Sequence, residues 1–151
     1  MNSIQSIIQE KAKKYGIPKC LVHAIIQVES SGNTHAIRYE PEYRWVYEVE
    51  LIAKHNRIPE STEENQQMIS WGLMQVMGAV AREHGFKGRY ISELCTPELG
   101  VEYGCKHLKR QYERYNDWEM AIAAYNAGSV RMKGSKYVNQ AYVDKVLKNW
   151  R

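Results

Sequence analysis

The sequence predicts an all-α fold with room for one minor β-hairpin. Apolar residues recur at helical spacing through most of the chain, and glycine or proline closes nearly every such stretch. Strand-like character is confined to Arg44 to Leu51. With 151 residues the chain is long enough for one compact domain, expected over 1–151, that buries a core without metal or disulfide support.

Asn2 to Tyr15 carries Ile4, Ile7 and Ile8 on one helical face and stops before Gly16 and Pro18. From Lys19, the positions Leu21, Val22, Ile25, Ile26 and Val28 predict a mostly buried helix ending in Glu29-Ser30-Ser31-Gly32-Asn33, with Gly32 as its terminator. Glu29 thus falls in the last turn, on the face that Val22 and Ile26 make apolar, a setting that raises a carboxyl pKa. Ile37 to Ser70 mixes aromatics with charges and reads as an irregular or partly helical insertion. A helix is expected from about Leu73 to His84, closed by Gly85. Another follows Thr96-Pro97-Glu98, with Thr96 at the N-cap and Pro97 in the first turn, and carries the stripe Val101, Cys105, Leu108, Tyr112, Tyr115. Asp117 then caps a helix that Gly128 stops. The last helix spans roughly Asn139 to Trp150, with Tyr142, Val143, Val146, Leu147 and Trp150 on its buried face.

Composition narrows the function classes. Hydrophobic residues at 44% and charged residues at 25% are ordinary for a globular chain and exclude disorder or a fibrous architecture. A net charge of +4 is mildly basic, but no nucleic-acid recognition motif or concentrated Lys/Arg stripe accompanies it, so no nucleic-acid partner is expected. No apolar run is long enough to insert in a membrane, and Met1 to Tyr15 lacks the pattern of a signal peptide. Delivery by a phage, export by another route, or excision from a larger protein is therefore expected. Cys20, Cys95 and Cys105 read as free buried thiols, and the five histidines show no metal spacing, so neither metal nor cofactor is assigned. A monomer is expected. The 11 tyrosines against 1 phenylalanine suit surfaces that contact sugars, although each tyrosine taken singly reads as partly buried core.

Three short stretches pair polar groups with a helix terminus: Glu29-Ser30, Gly72-Leu73-Met74-Gln75, and Ala124-Tyr125-Asn126-Ala127-Gly128. In that order, and followed by Tyr142-Val143 with Val146-Leu147, they resemble the soluble lytic transglycosylase family, whose catalytic domains carry E-S, G-L-M-Q, A-Y-N-A-G and a Y-V-x-x-V-L helix. The resemblance covers about residues 17–148. It implies a lysozyme-like helical fold and a substrate in the glycan strands of bacterial peptidoglycan, acted on at the cell wall in the periplasm or at the outer face. It also implies that Glu29 is the acid/base, that Ser30, Gln75 and Asn126 contact substrate or fix the cleft, and that Tyr125 and Tyr142 orient Glu29 and the sugar. Met74 and Met77 read first as core fillers, although Met74 lies in the matching motif and is on that ground a candidate substrate contact.

A lone glutamate suits such chemistry. Glycoside cleavage needs an acid at the leaving oxygen, and the deprotonated Glu29 can then serve as base on the 6-hydroxyl of N-acetylmuramic acid, closing a 1,6-anhydro ring without water. One departure from the family pattern is the long segment 34–71 with Glu40, Glu42, Glu48 and Glu50. A second carboxylate, Glu40 first among them, at about 6.5–9.5 Å across the sugar would make the protein a hydrolytic muramidase. The other reading of this run is a solvated loop face. A cell-wall-binding or structural module without catalysis is the remaining alternative, and retention of Glu29 speaks against it.

Overall fold

Ser3 caps the first helix in the computed structural model, which describes residues 3–151. Its hydroxyl accepts from the Ser6 amide, and α1 (Ile4–Tyr15) runs until Gly16 turns left-handed at φ 65°. Met1 and Asn2, the start of the segment read for a signal peptide and for this helix, lie outside the described residues. Helix α2 (Lys19–Ser30) begins behind Pro18 and buries Leu21, Val22, Ala24, Ile25 and Ile26. Its left-handed cap is Ser31 at φ 51°, one residue before the expected Gly32.

The segment 34–71 is more regular than its sequence suggests. It holds β1 (Ile37–Tyr39), α3 (Val49–Asn56), α4 (Glu60–Gln67) and β2 (Ile69–Trp71). The stretch Arg44 to Leu51 is not a strand: residues 44–48 are irregular and Val49 opens α3. The strands lie instead at both ends of this segment. β1, β2 and β3 (Val76–Met77) form an antiparallel sheet in that order, with Ile37 opposite Trp71 and Trp71 opposite Val76.

The helix expected from Leu73 to His84 is correspondingly shorter, α5 (Gly78–Glu83), because Gly72 at φ 71° and Gln75 at φ 51° fold Gly72 to Gln75 into the turn between β2 and β3. This motif is thus a hairpin turn and not a helix start. A Cβ on Gly72 would stand 2.7 Å from the Leu94 carbonyl oxygen, so the turn needs glycine for both space and conformation.

After a 3₁₀ turn (Ile91–Cys95), α6 (Pro97–Tyr115) starts at Pro97 as expected, with Thr96 in the N-cap position. Asp117 caps α7 (Trp118–Ala127) by accepting from the Met120 amide, and Gly128 ends it at φ 87°. A short hairpin, β4 (Met132–Lys133) with β5 (Lys136–Tyr137), leads into α8 (Gln140–Trp150). α6 packs between α1 and α7, and α8 lies on α2. The core these helices enclose joins Ile8, Leu21, Ile25, Leu73, Leu108, Ile122 and Val146, all at most 1% exposed. Of the cysteines, Cys105 is buried and Cys95 half-buried, but Cys20 is exposed because it sits in the first turn of α2 on the solvent side.

Candidate functional site

Glu29 ends the buried stripe of α2 and opens into a cleft of about 840 Å³. Helix α8, docked on α2, brings the Tyr142 hydroxyl to its Oε2, donating at 2.9 Å. Burial moves the Glu29 carboxyl from its ordinary 4.5 up to about 7, against the Tyr142 hydrogen bond and the Arg38 charge, both of which favour the carboxylate. A carboxylate at the C-terminal end of a helix is also disfavoured by the helix dipole. Tyr142 itself is held neutral, its pKa pushed well above 10 by burial and then by the Glu29 charge. It is therefore a permanent donor aimed at the acid.

The neighbouring motif residues brace this end of α2. Ser30 Oγ donates to the Leu73 carbonyl at 2.8 Å and accepts from the Gly32 amide, tying the helix end to the Gly72–Gln75 turn. Gln75 lines the cleft, and its Nε2 donates to the carbonyls of Ala36 and Gly72, both at 2.9 Å. Asn126, also in the cleft wall, accepts at Oδ1 from Asn139 Nδ2 at 2.9 Å.

Two of the expected contacts differ. Met74 is fully buried and fills the space that Gly104 leaves by lacking a Cβ, so its side chain belongs to the core and not to the substrate surface. Tyr125 borders the cleft, yet its hydroxyl donates to the Met74 carbonyl at 2.6 Å and not to Glu29. The charge of Glu29 still acts on the Tyr125 phenol, which burial and that charge hold well above its usual pKa. Glu40 lines the same cleft, half-exposed and ion-paired to Arg38 at 3.1 Å.

The model of the family described as transglycosylase SLT domain matches residues 6–146. The chain belongs to this family. A protein of Enterobacteria phage PRD1 named "Transglycosylase" is similar, 28% identical over 137 residues that cover 90% of this chain and 38% of that protein. The chain thus spans well under half the length of that relative. Membership accounts for the all-α, lysozyme-like architecture.

The structure of this SLT domain adds residues that the motifs did not single out. His84 and His107 face one another in the cleft wall with Nε2 and Nδ1 3.1 Å apart. Burial and neighbouring positive charge lower their pKa values to about 4 and about 3, so both rings stay neutral and one donates to the other. Their separation of 23 residues left no pattern in the sequence. Outside the cleft lining, Glu63 and Arg82 form a buried two-pronged ion pair at 2.7 and 2.8 Å, and Glu63 also accepts from Gln67. The 34–71 segment therefore sends one carboxylate to the interior, Glu63, which is not one of the four acidic residues singled out in the sequence. Among the described residues no group of His, Cys, Asp and Glu is arranged to hold a metal, and no helix is long and apolar enough to cross a membrane.

Proposed function

We propose that this domain cleaves the β-1,4 bond between N-acetylmuramic acid and N-acetylglucosamine without hydrolysis, with Glu29 as both acid and base. The observation that carries the reading is a carboxyl, protonated up to about pH 7, at a helix end inside the cleft and gripped by Tyr142. Glu29 gives its proton to the glycosidic oxygen, the bond from that oxygen to C1 of the muramic acid breaks, and N-acetylglucosamine leaves with a free 4-hydroxyl. The acetamido carbonyl of the muramic acid stabilises the charge at C1, the task that a second carboxylate performs in most glycosidases. Glu29, now ionised, takes the proton of the 6-hydroxyl as that oxygen bonds to C1. The product is a 1,6-anhydro sugar, and Glu29 ends protonated again.

Ser30, Gln75 and Tyr125 serve by holding the turn and helix end that frame the acid, and Asn126 presents an amide to substrate at the cleft wall. Tyr142 lowers the cost of the ionised intermediate by donating to it. The second reading, hydrolysis with Glu40 holding a water, is favoured by the presence of Glu40 in the same cleft. Its ion pair with Arg38 speaks for a structural or substrate-contacting role. Borohydride treatment of digested peptidoglycan decides: the proposal expects unreduced anhydro ends from wild type and from Glu40→Gln. Reduced muramitol ends, together with loss of activity in Glu40→Gln, would replace it with the two-carboxylate muramidase.

A further inference from the structure

Trp45 is 72% exposed, more than any other large apolar side chain among the described residues, and it lies in the wall of the cleft that holds Glu29. An indole carries one of the largest apolar surfaces of any side chain, and leaving it in water forgoes the stabilisation of burying it. The loop that bears it is not loose. At one end the Glu40 amide donates to the Met68 carbonyl at 2.8 Å, and the Tyr43 amide donates to the Glu40 carbonyl at 3.1 Å. At the other end the side-chain amide of Gln67 grips Tyr47 twice, accepting from its amide at 2.6 Å and donating to its carbonyl at 2.7 Å. Gln67 is fully buried and is held in turn by the Glu63–Arg82 pair. A buried ion pair of this kind adds little net stability compared with apolar packing. What it does here is hold, through Gln67, the Tyr47 end of a loop whose indole stays in solvent.

We infer that Trp45, with Tyr43 beside it, is a stacking platform for a pyranose ring of the glycan strand, extending the substrate site onto the 34–71 segment. The inference rests on the glycan-cleaving reading above and names a contact that lies outside its four motifs. The occupant follows from the surroundings. A flat aromatic face matches the axial C–H face of a β-linked sugar, while Arg38, Glu40 and Glu83 in the same wall offer charged partners for its equatorial polar groups. An apolar peptide or a lipid would desolvate Glu83 and the Arg38–Glu40 pair without offering them polar partners. Tyr43 is half-buried, and burial followed by the charge of Glu83 raises its phenol to about 12, so it meets the sugar as a neutral hydroxyl.

The test uses Glu29→Gln as the parent, so that ligand is not consumed, and a peptide-free tetrasaccharide of alternating N-acetylglucosamine and N-acetylmuramic acid as the probe. Calorimetry should show Trp45→Ala in this parent binding roughly tenfold more weakly, Trp45→Phe retaining most of the affinity, and Leu51→Ala, an exposed residue outside the cleft, unchanged. Thermal unfolding of Trp45→Ala should match the parent, since the indole packs little. Unchanged affinity in Trp45→Ala, a parent that does not bind the tetrasaccharide, or weaker binding accompanied by an equal loss in Leu51→Ala would each overturn the inference. Cleavage of peptidoglycan by wild type is read separately, so a domain that binds the probe through Trp45 but releases no fragments would overturn the catalytic reading and leave the platform standing.

Discussion

Replacing Glu29 by glutamine should inactivate the domain and, above neutral pH, make it more stable. In the folded state the carboxyl holds its proton up to about 7, whereas in the unfolded chain it releases it near 4.5. Between those values the folded state binds more protons, so the contribution of Glu29 to stability is fully present below 4.5 and is lost as pH rises through 7. At about 1.4 kcal/mol per tenfold change in proton affinity, the loss approaches about 3 kcal/mol. Glutamine keeps an oxygen for Tyr142 and never ionises. Glu29→Gln should therefore match wild type near pH 4 and exceed it at pH 8 by about 3 kcal/mol, or roughly 8 °C in a domain of this size. Neutral His84 and His107 work in the opposite sense, adding stability that is lost as pH falls below about 6.5, but both proteins share them and the difference cancels them. Urea unfolding at several pH values measures the gap, and turbidity of peptidoglycan measures the activity, expected to fall by at least about a thousandfold. A gap that stays flat with pH, or a well-folded variant that still clears peptidoglycan, would refute the reasoning.

Tyr142→Phe removes the donor that favours the ionised acid, so the Glu29 pKa should rise further and the corresponding limb of the pH–rate profile should move up by about one pH unit. An unmoved limb would mean that the hydrogen bond does not tune the acid. Tyr125→Phe leaves the buried Met74 carbonyl without its partner and should lower stability by about 1–3 kcal/mol in denaturant unfolding, with activity falling alongside as the Gly72–Gln75 turn loosens. Gly72→Ala forces both a left-handed alanine and a 2.7 Å approach to the Leu94 carbonyl, and should cost about 2–4 kcal/mol by the same measurement. Stability within about 0.5 kcal/mol of wild type would show that the turn relaxes freely.

The helices were legible because their signals are local. Pro97 behind Thr96, Asp117 before Trp118 and Gly128 after Ala127 each act within one turn of the chain. Glu29 was legible for the same reason, since the stripe through Val22 and Ile26 points it inward before any partner is known. The Gly72–Gln75 turn was misread as a helix start because Leu73, Met74 and Val76 have apolar spacing that fits either state, and only pairing with distant Ile37 to Tyr39 makes the flanks strands. Tyr125 and Met74 are placed by contacts of the same kind. Their motif placed them near the acid, but the direction of a hydroxyl and of a thioether is set by packing against Gly104 and the turn. The histidine pair and the Glu63–Arg82–Gln67 network are contacts between elements, and no spacing along the chain announces them.

The hydrogen bond from Tyr142 to Glu29 joins residues 113 positions apart, from the second helix and the last. Contacts of that span close late, because the intervening chain must be ordered first. During synthesis the α2 segment emerges long before α8 exists, so a growing chain carries Glu29 with neither its donor nor the helix that covers it, and its carboxyl ionises as in any exposed glutamate. The Tyr142 hydroxyl reaches Glu29 only when α8 docks on α2. Formation of α8 is thus a timing device: every product that stops ahead of residue 142 holds Glu29 without the hydroxyl that favours its ionised form once the glycosidic bond has broken.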